Sequence, residues 1–370
     1  MIKSLEGGRG LAALIVAFYH LKIGAEYFSV IRNGYLFVDL FFVLSGFVIC
    51  AAYSGRMQTA ADFQSFLIRR IGRLLPLLLF TTVLFLLIAN TIVLAKKAAL
   101  SSGYANILNN PGAHEFLIPS VSELVSVIIM THGMGVFDRL ILNTPSWSIS
   151  TEFYTYLVFA IVALLLTGRS RVAAFVMLSV GGFVVSVLAS ILTHECMREG
   201  GCLSLTYDFG FPRTVCSFFL GCLSYLASRR VRVRANALQV AGASMLALLF
   251  MFVDAYPALA FAFPAAFALL ILSLSKDDGW LAGILMRRPF AVLGERSYSI
   301  YLMHMPLILI FENLAKRANG VFLSTLVLVA FAAVLIIVSG WTYRFIEDPF
   351  RSMFNRFAST PRALRTDPAK

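Results

Sequence analysis

The sequence predicts an all-α integral membrane protein of about ten transmembrane helices, on three observations. Hydrophobic residues fill 59% of the 370 positions and charged residues only 14%, where a soluble protein carries about 25% charged residues. Many stretches exceed the roughly 20 apolar residues that cross a bilayer. The net charge of +12 falls in short Lys/Arg patches between those stretches, which is the pattern of cytoplasmic loops rather than of a nucleic-acid surface.

In chain order the spans are read at 9–28, 35–53, 74–95, 147–167, 172–193, 213–228, 236–254, 258–275, 290–311 and 321–344. Arg56, Arg69, Arg70 and Arg73 lie between the second and third. Arg169 and Arg171 follow the fourth, and Arg229, Arg230, Arg232 and Arg234 follow the sixth. Lys276, Arg287 and Arg288 follow the eighth, and Arg351 and Arg356 lie beyond the last. With both termini inside, every patch is cytoplasmic. A further span at 121–137 would put the 229–234 patch outside. That segment is therefore read as a re-entrant or surface helix in an outer segment, 96–146, that covers a site. The organisation expected is one integral domain, 1–352, and a basic cytoplasmic tail, 353–370. No small-residue cleavage site follows the first apolar run, so it is expected to stay as a signal anchor. Cys50, Cys216 and Cys222 fall in apolar spans. Cys196 and Cys202 flank a polar loop read as external, where a disulfide and two free thiols are both compatible with the sequence.

Five constellations could carry chemistry. Arg9 and His20 are eleven residues apart on the first span, three helical turns plus about 20°. They share a face and stand about 16 Å apart along the axis. A snorkelling arginine and a satisfied core histidine would be the bland account; an ionisable pair at that depth is by default functional. Asp39, in the apolar run YLFVDLFFVLSGF, needs a partner, and His20 at a similar depth is the one expected. Arg69, Arg70 and Arg73 are read as one side of a helix entering the third span, anchoring lipid headgroups or clamping phosphates. In NTPSWSISTEFYTY, Thr144 is an N-cap with Pro145 behind it. Ser148 and Glu152 share a face there, and Trp147 suits an interfacial anchor or a stacking platform for a sugar. Ser297, Tyr301 and His304 form a polar stripe at i, i+4 and i+7. Near the end of the last span, Glu347 is expected to pair with a loop arginine. No metal-ligand spacing, P-loop, dinucleotide glycine pattern or G-x-S-x-G elbow occurs, so neither a metal nor an acyl-serine is expected.

R-x10-H at Arg9 and His20, FVDLFFVLSGF around Asp39, RRxxRxxP from Arg69 to Pro76, PSWSxxxE ending at Glu152, SYSxYLxH ending at His304 and a terminal ExPF together resemble the acyltransferase-3 family of integral membrane O-acyltransferases. The resemblance runs from about residue 5 to 352. It implies a ten-helix core and an enzyme that moves an acyl group, most often acetyl, from cytoplasmic acyl-CoA to a hydroxyl of a cell-surface or exported glycan. His20 would be the catalytic histidine, oriented by Asp39 or Glu152, and Arg9 with Arg69, Arg70 and Arg73 would hold the CoA end. Trp147, Ser148, Tyr301 and His304 would meet the substrates. The expected setting is a bacterial cytoplasmic (inner) membrane, with membrane lipids around the chain and no nucleic-acid partner. The alternative is a transporter or flippase for a lipid-linked glycan or small metabolite. Midplane charges suit it, but an inverted repeat is absent.

Overall fold

The computed structural model describes residues 2–102, 115–230 and 234–358. Among them all regular structure is helical. The main helices are α1 (Lys3–Leu21), α2 (Phe37–Tyr53), α3 (Ala60–Ser101), α4 (Val121–Ile128), α5 (Trp147–Leu165), α6 (Gly168–Leu192), α7 (Gly210–Ser228), α8 (Ala235–Phe252), α9 (Phe263–Leu274), α10 (Trp280–Leu285), α11 (Arg288–Glu295), α12 (Ser297–Arg317), α13 (Val321–Thr342) and α14 (Asp348–Phe357).

Among the described residues eight helical segments are long and apolar enough to cross a bilayer: 34–53, 60–101, 144–165, 168–192, 235–252, 257–274, 297–317 and 321–357. The chain is a multi-pass membrane protein. Two of the ten expected spans, at α1 and α7, are helices of 19 residues each that fall short in apolarity. Lys3, Glu6 and Arg9 lower it in α1; Arg213 and a run of Ser and Gly lower it in α7.

α3 departs most from expectation. It starts on a capping box between Thr59 and Asp62 and continues for 42 residues through Pro76, about 63 Å at 1.5 Å per residue. A bilayer core is about 30 Å thick, so α3 projects well beyond it. The guanidinium cluster is therefore inside the helix, and the expected outer segment 96–146 begins as helix; residues 103–114 of that segment lie outside the described residues. α4 also starts on a capping box, Ser120 with Glu123, but has only eight residues, too few to cross. Thr144–Ser146 form a 3-10 turn ahead of α5 without a side-chain cap, so the N-cap expected at Thr144 is not made.

α2 and α7 pack closely. A Cβ on Gly46 would stand 1.8 Å from the Phe218 carbonyl oxygen, and one on Gly221 would stand 1.9 Å from that of Val43. Small residues of this kind let membrane helices touch backbone to backbone. The two helices are also joined by charge. Arg213 Nη2 and Nε donate to Asp39 Oδ2 at 2.6 and 3.0 Å, and Ser217 Oγ donates to Oδ1 at 2.8 Å. Both charged side chains are buried, at 2% and 0% exposure. The remaining Arg213 donors reach the carbonyls of Leu205 and Tyr35, each at 3.0 Å. In the loop that includes Leu205, Cys196 and Cys202 are disulfide-bonded, and Tyr35 Oη donates to the Cys202 carbonyl. Cys50, Cys216 and Cys222 are free and buried.

After α13 a π-helical turn, Tyr343–Glu347, redirects the chain into α14. α14 packs back on α3, where Gly72 leaves room for the Phe354 ring. It runs across the position 352/353 where the tail was expected to begin; residues 359–370 lie outside the described residues.

Removing one partner of a buried pair strands the other's charge, at about 3–5 kcal/mol, whereas replacing both with apolar groups is often neutral. Arg213→Leu is thus expected to lower thermal stability in detergent sharply. Arg213→Leu with Asp39→Leu is expected to recover most of the loss; an unfolding midpoint for the double variant no higher than for the single would contradict the pairing.

Candidate functional site

One cavity of about 760 Å³ opens between α1, α2, α3, α5, α11 and α12. The charges on its wall are unequal. Lys3, Arg9, Arg70, Arg73, Arg288 and Arg351 face it, against Glu6, Glu152 and Glu295. That excess of cations in a recess walled by apolar helix faces attracts an anion.

Each key cation is held by its own helix and neighbours. Arg9 is brought in by α1, whose Gly10 lies against the Leu293–Gly294 backbone of α11, where a Cβ would come within 2.3 Å of Leu293 C. From there Arg9 Nε donates to Ser297 Oγ at 2.7 Å and Nη2 to the Gly294 carbonyl at 3.1 Å. Arg70 lies among three rings, 5.5 Å from the centroid of Tyr53, 5.6 Å from Phe66 and 5.8 Å from Tyr156, a cation–π enclosure. Arg73 follows three residues later on the same face. Arg69 does not line the cavity. It was expected there, but 100° per residue sets Arg69 and Arg70 on opposite flanks of Arg73, and α3 turns the Arg70 flank inward.

Ser148 and Glu152 both face the cavity, as their i,i+4 spacing implied. Glu152 Oε1 accepts from Tyr156 Oη at 2.5 Å, and Tyr156 Oη in turn meets Ser45 Oγ at 2.8 Å. Ser148 Oγ lies 2.8 Å from Tyr301 Oη, and both hydroxyl oxygens lie within reach of the Pro145 carbonyl, at 3.0 and 3.1 Å, so one hydroxyl donates to the carbonyl and the other to its neighbour. Tyr301, packed edge-on against Phe41, closes the deep end.

Behind Tyr301 stand two imidazoles. His304 is fully buried, its ring 5.7 Å from that of Tyr301. Its Nε2 lies 3.3 Å from His20 Nδ1, and His20 Nδ1 also lies 3.0 Å from the Val16 carbonyl. A carbonyl only accepts, so His20 Nδ1 carries the proton and Nε2 keeps the lone pair. His304 Nε2 is then an acceptor for the same N–H, with its own proton on Nδ1. Neither imidazole lines the cavity. The sequence in space is cavity, Tyr301, His304, His20.

Three expectations are corrected. Asp39 does not orient His20: it is consumed by Arg213 and Ser217 on the far side of α2. The group that meets His20 is another imidazole, His304. Trp147 is no sugar platform; at 6% exposure it packs under Arg213, edge-on to Phe42 and against Gly210. Glu347 is buried and accepts from Ser299 Oγ at 2.8 Å, where an arginine was expected. Sequence reasoning missed Arg213, although a lone arginine in an apolar run marks a buried pair. It also missed Tyr156, which no spacing distinguishes among 13 tyrosines. Among the described residues no group of three or more His, Cys, Asp and Glu side chains could hold a metal ion.

The chain is 28% identical to a Bacillus subtilis protein, YrhL, provisionally named a peptidoglycan O-acetyltransferase, over 95% of this chain and 55% of that protein. It is 25% identical to the O-acetyltransferase OatA of Staphylococcus aureus, over 98% of this chain and 59% of the relative. It is 24% identical to the peptidoglycan O-acetyltransferase OatA of Listeria monocytogenes, over 95% and 56%. The chain thus spans less than three-fifths of the length of these curated relatives. No solved structure matches it. Residues 2–344 match the family model described as an acyltransferase domain, and the chain belongs to that acyltransferase family.

Proposed function

We propose that the protein is a membrane O-acetyltransferase that takes an acetyl group from cytoplasmic acetyl-CoA and delivers it to a glycan hydroxyl on the other side of the membrane. The observation that carries this reading is the cation-rich cavity ending two side chains short of His20. On this reading the cavity mouth faces the cytoplasm of a bacterial inner membrane, with both termini on that side. Arg9, Arg70 and Arg73 hold the donor's phosphates by charge-assisted hydrogen bonds. Tyr301 stands between the cavity and His304, so its ring swings aside to admit the thioester.

The half-buried His20 offers Nε2 to an acceptor arriving from outside. The acceptor hydroxyl attacks the thioester carbonyl carbon while Nε2 takes its proton. The C–S bond then breaks, and the departing thiolate receives that proton from His20. The Nδ1–H contacts to Val16 and His304 hold the ring and favour the transient imidazolium, the part a carboxylate plays in a triad. His304, offered by sequence as a substrate contact, is on this reading a positioning residue. Peptidoglycan, named for two of the relatives, is the first acceptor to test.

Purified protein in nanodiscs, given labelled acetyl-CoA and a glycan acceptor, is expected to yield free CoA and acetylated glycan; intact thioester with transported glycan would favour a carrier instead. His20→Ala is expected to abolish transfer with its thermal unfolding unchanged, and full activity in that variant would end the assignment. Arg73→Ala is expected to raise the acetyl-CoA KM about tenfold or more, the worth of one charge-assisted contact. Arg69→Ala, outside the cavity, is expected to change it less than about threefold. Equal effects of the two would remove the cavity as the phosphate site.

A further inference from the structure

A second recess, of about 740 Å³, lies at the end of the bundle where α2, α5 and α7 finish and α6 begins. Its rim carries Arg169, Arg171, Arg229 and Arg230, and among the described residues no carboxylate lines it. Phe175, fully buried, contributes to its apolar floor. The donor cavity differs in having three carboxylates among its cations.

The four guanidiniums are not equivalent. Arg171 is spent on backbone: Nε donates to the Leu166 carbonyl at 2.7 Å, Nη2 to that of Ala163 at 3.1 Å, and Nη1 to that of Ser54. It thereby caps the carbonyl ends of α2 and α5, where a cation is favoured, and fixes the rim. Arg169, Arg229 and Arg230 are exposed, and none forms an ion pair within 4.0 Å among the described residues. Three guanidiniums gathered at one recess repel one another, and a phosphate relieves that repulsion while accepting several N–H donors at once. A topological signal alone needs the charges on this side of the membrane, but not a shared recess over an apolar floor.

We propose that this recess is a second anion site, separate from the donor cavity, that binds a phosphate group. The phosphate belongs either to the headgroup of an anionic phospholipid, whose glycerol and first methylenes would lie on the Phe175 floor, or to a soluble phosphate compound. The site does not depend on the donor reading, since none of its residues lines the first cavity.

The test is native mass spectrometry of the full chain in neutral detergent, titrated with dioleoylphosphatidylglycerol and separately with inorganic pyrophosphate. The variant is Arg169→Gln with Arg229→Gln and Arg230→Gln, backed by the single change Arg230→Glu in case the triple one does not fold. Arg139→Gln with Arg198→Gln, two exposed arginines outside the recess, is the control. The expected result is an adduct that weakens at least tenfold in the triple variant and measurably in Arg230→Glu, while any pyrophosphate held by the first cavity, and binding by the control, stay unchanged. Loss of the phosphatidylglycerol adduct alone identifies a lipid headgroup, and loss of a pyrophosphate adduct identifies a soluble phosphate. Variants that bind both probes as the wild type does would overturn the proposal.

Discussion

The pair between Asp39 and Arg213 is the interaction on which the rest of the arrangement depends. It joins α2 to α7 inside a bundle that offers either charge little water, and it does so where glycines already bring the backbones into contact. With one face committed to α7, α2 presents the other, through Ser45, Phe41 and Phe42, to the cavity. The same guanidinium binds the carbonyls of Tyr35 and Leu205, so the ion pair also fixes the loop that the Cys196–Cys202 bridge closes. α2 is thus a partition with a structural side and a chemical side.

This division explains which carboxylates are available for chemistry. An aspartate with three side-chain hydrogen bonds from Arg213 and Ser217 is too committed to serve a histidine across the helix. Glu152 is also engaged, but within the cavity, through Tyr156. The histidine on α1 therefore meets no carboxylate. Its Nδ1 contacts are a carbonyl of its own helix and a second imidazole, both neutral, which keeps the buried site free of a second unpaired charge.

The parts legible in the sequence are those set by one helix alone. The alignment of Arg9 with His20 direction, the shared face of Ser148 and Glu152, and the stripe of Ser297, Tyr301 and His304 all follow from 100° per residue. The helices themselves follow from apolar runs. What could not be read is which helix faces which. Asp39 needs a partner; the sequence pointed to the titratable His20, whereas the fold supplies the permanently charged Arg213. Only the packing of α2 on α7 chooses. Arg69 and Arg70 are neighbours in sequence, yet helix rotation about its own axis decides which enters the cavity, and periodicity fixes relative angles but not that rotation. The length of α3 was hidden for another reason: hydropathy marks where a helix meets lipid, not where it stops being a helix.

The proposed route joins the cationic cavity to His20 once the Tyr301 and His304 rings both give way. A structure of the protein with a bound, non-transferable acetyl-CoA analogue tests it most directly. The account predicts phosphates against Arg9, Arg70 and Arg73, the Tyr301 ring displaced from Ser148, and the acetyl carbonyl carbon within about 4 Å of the space before His20 Nε2, near-attack distance. An analogue seated elsewhere, or one whose acetyl group stops below an unmoved Tyr301, would contradict it.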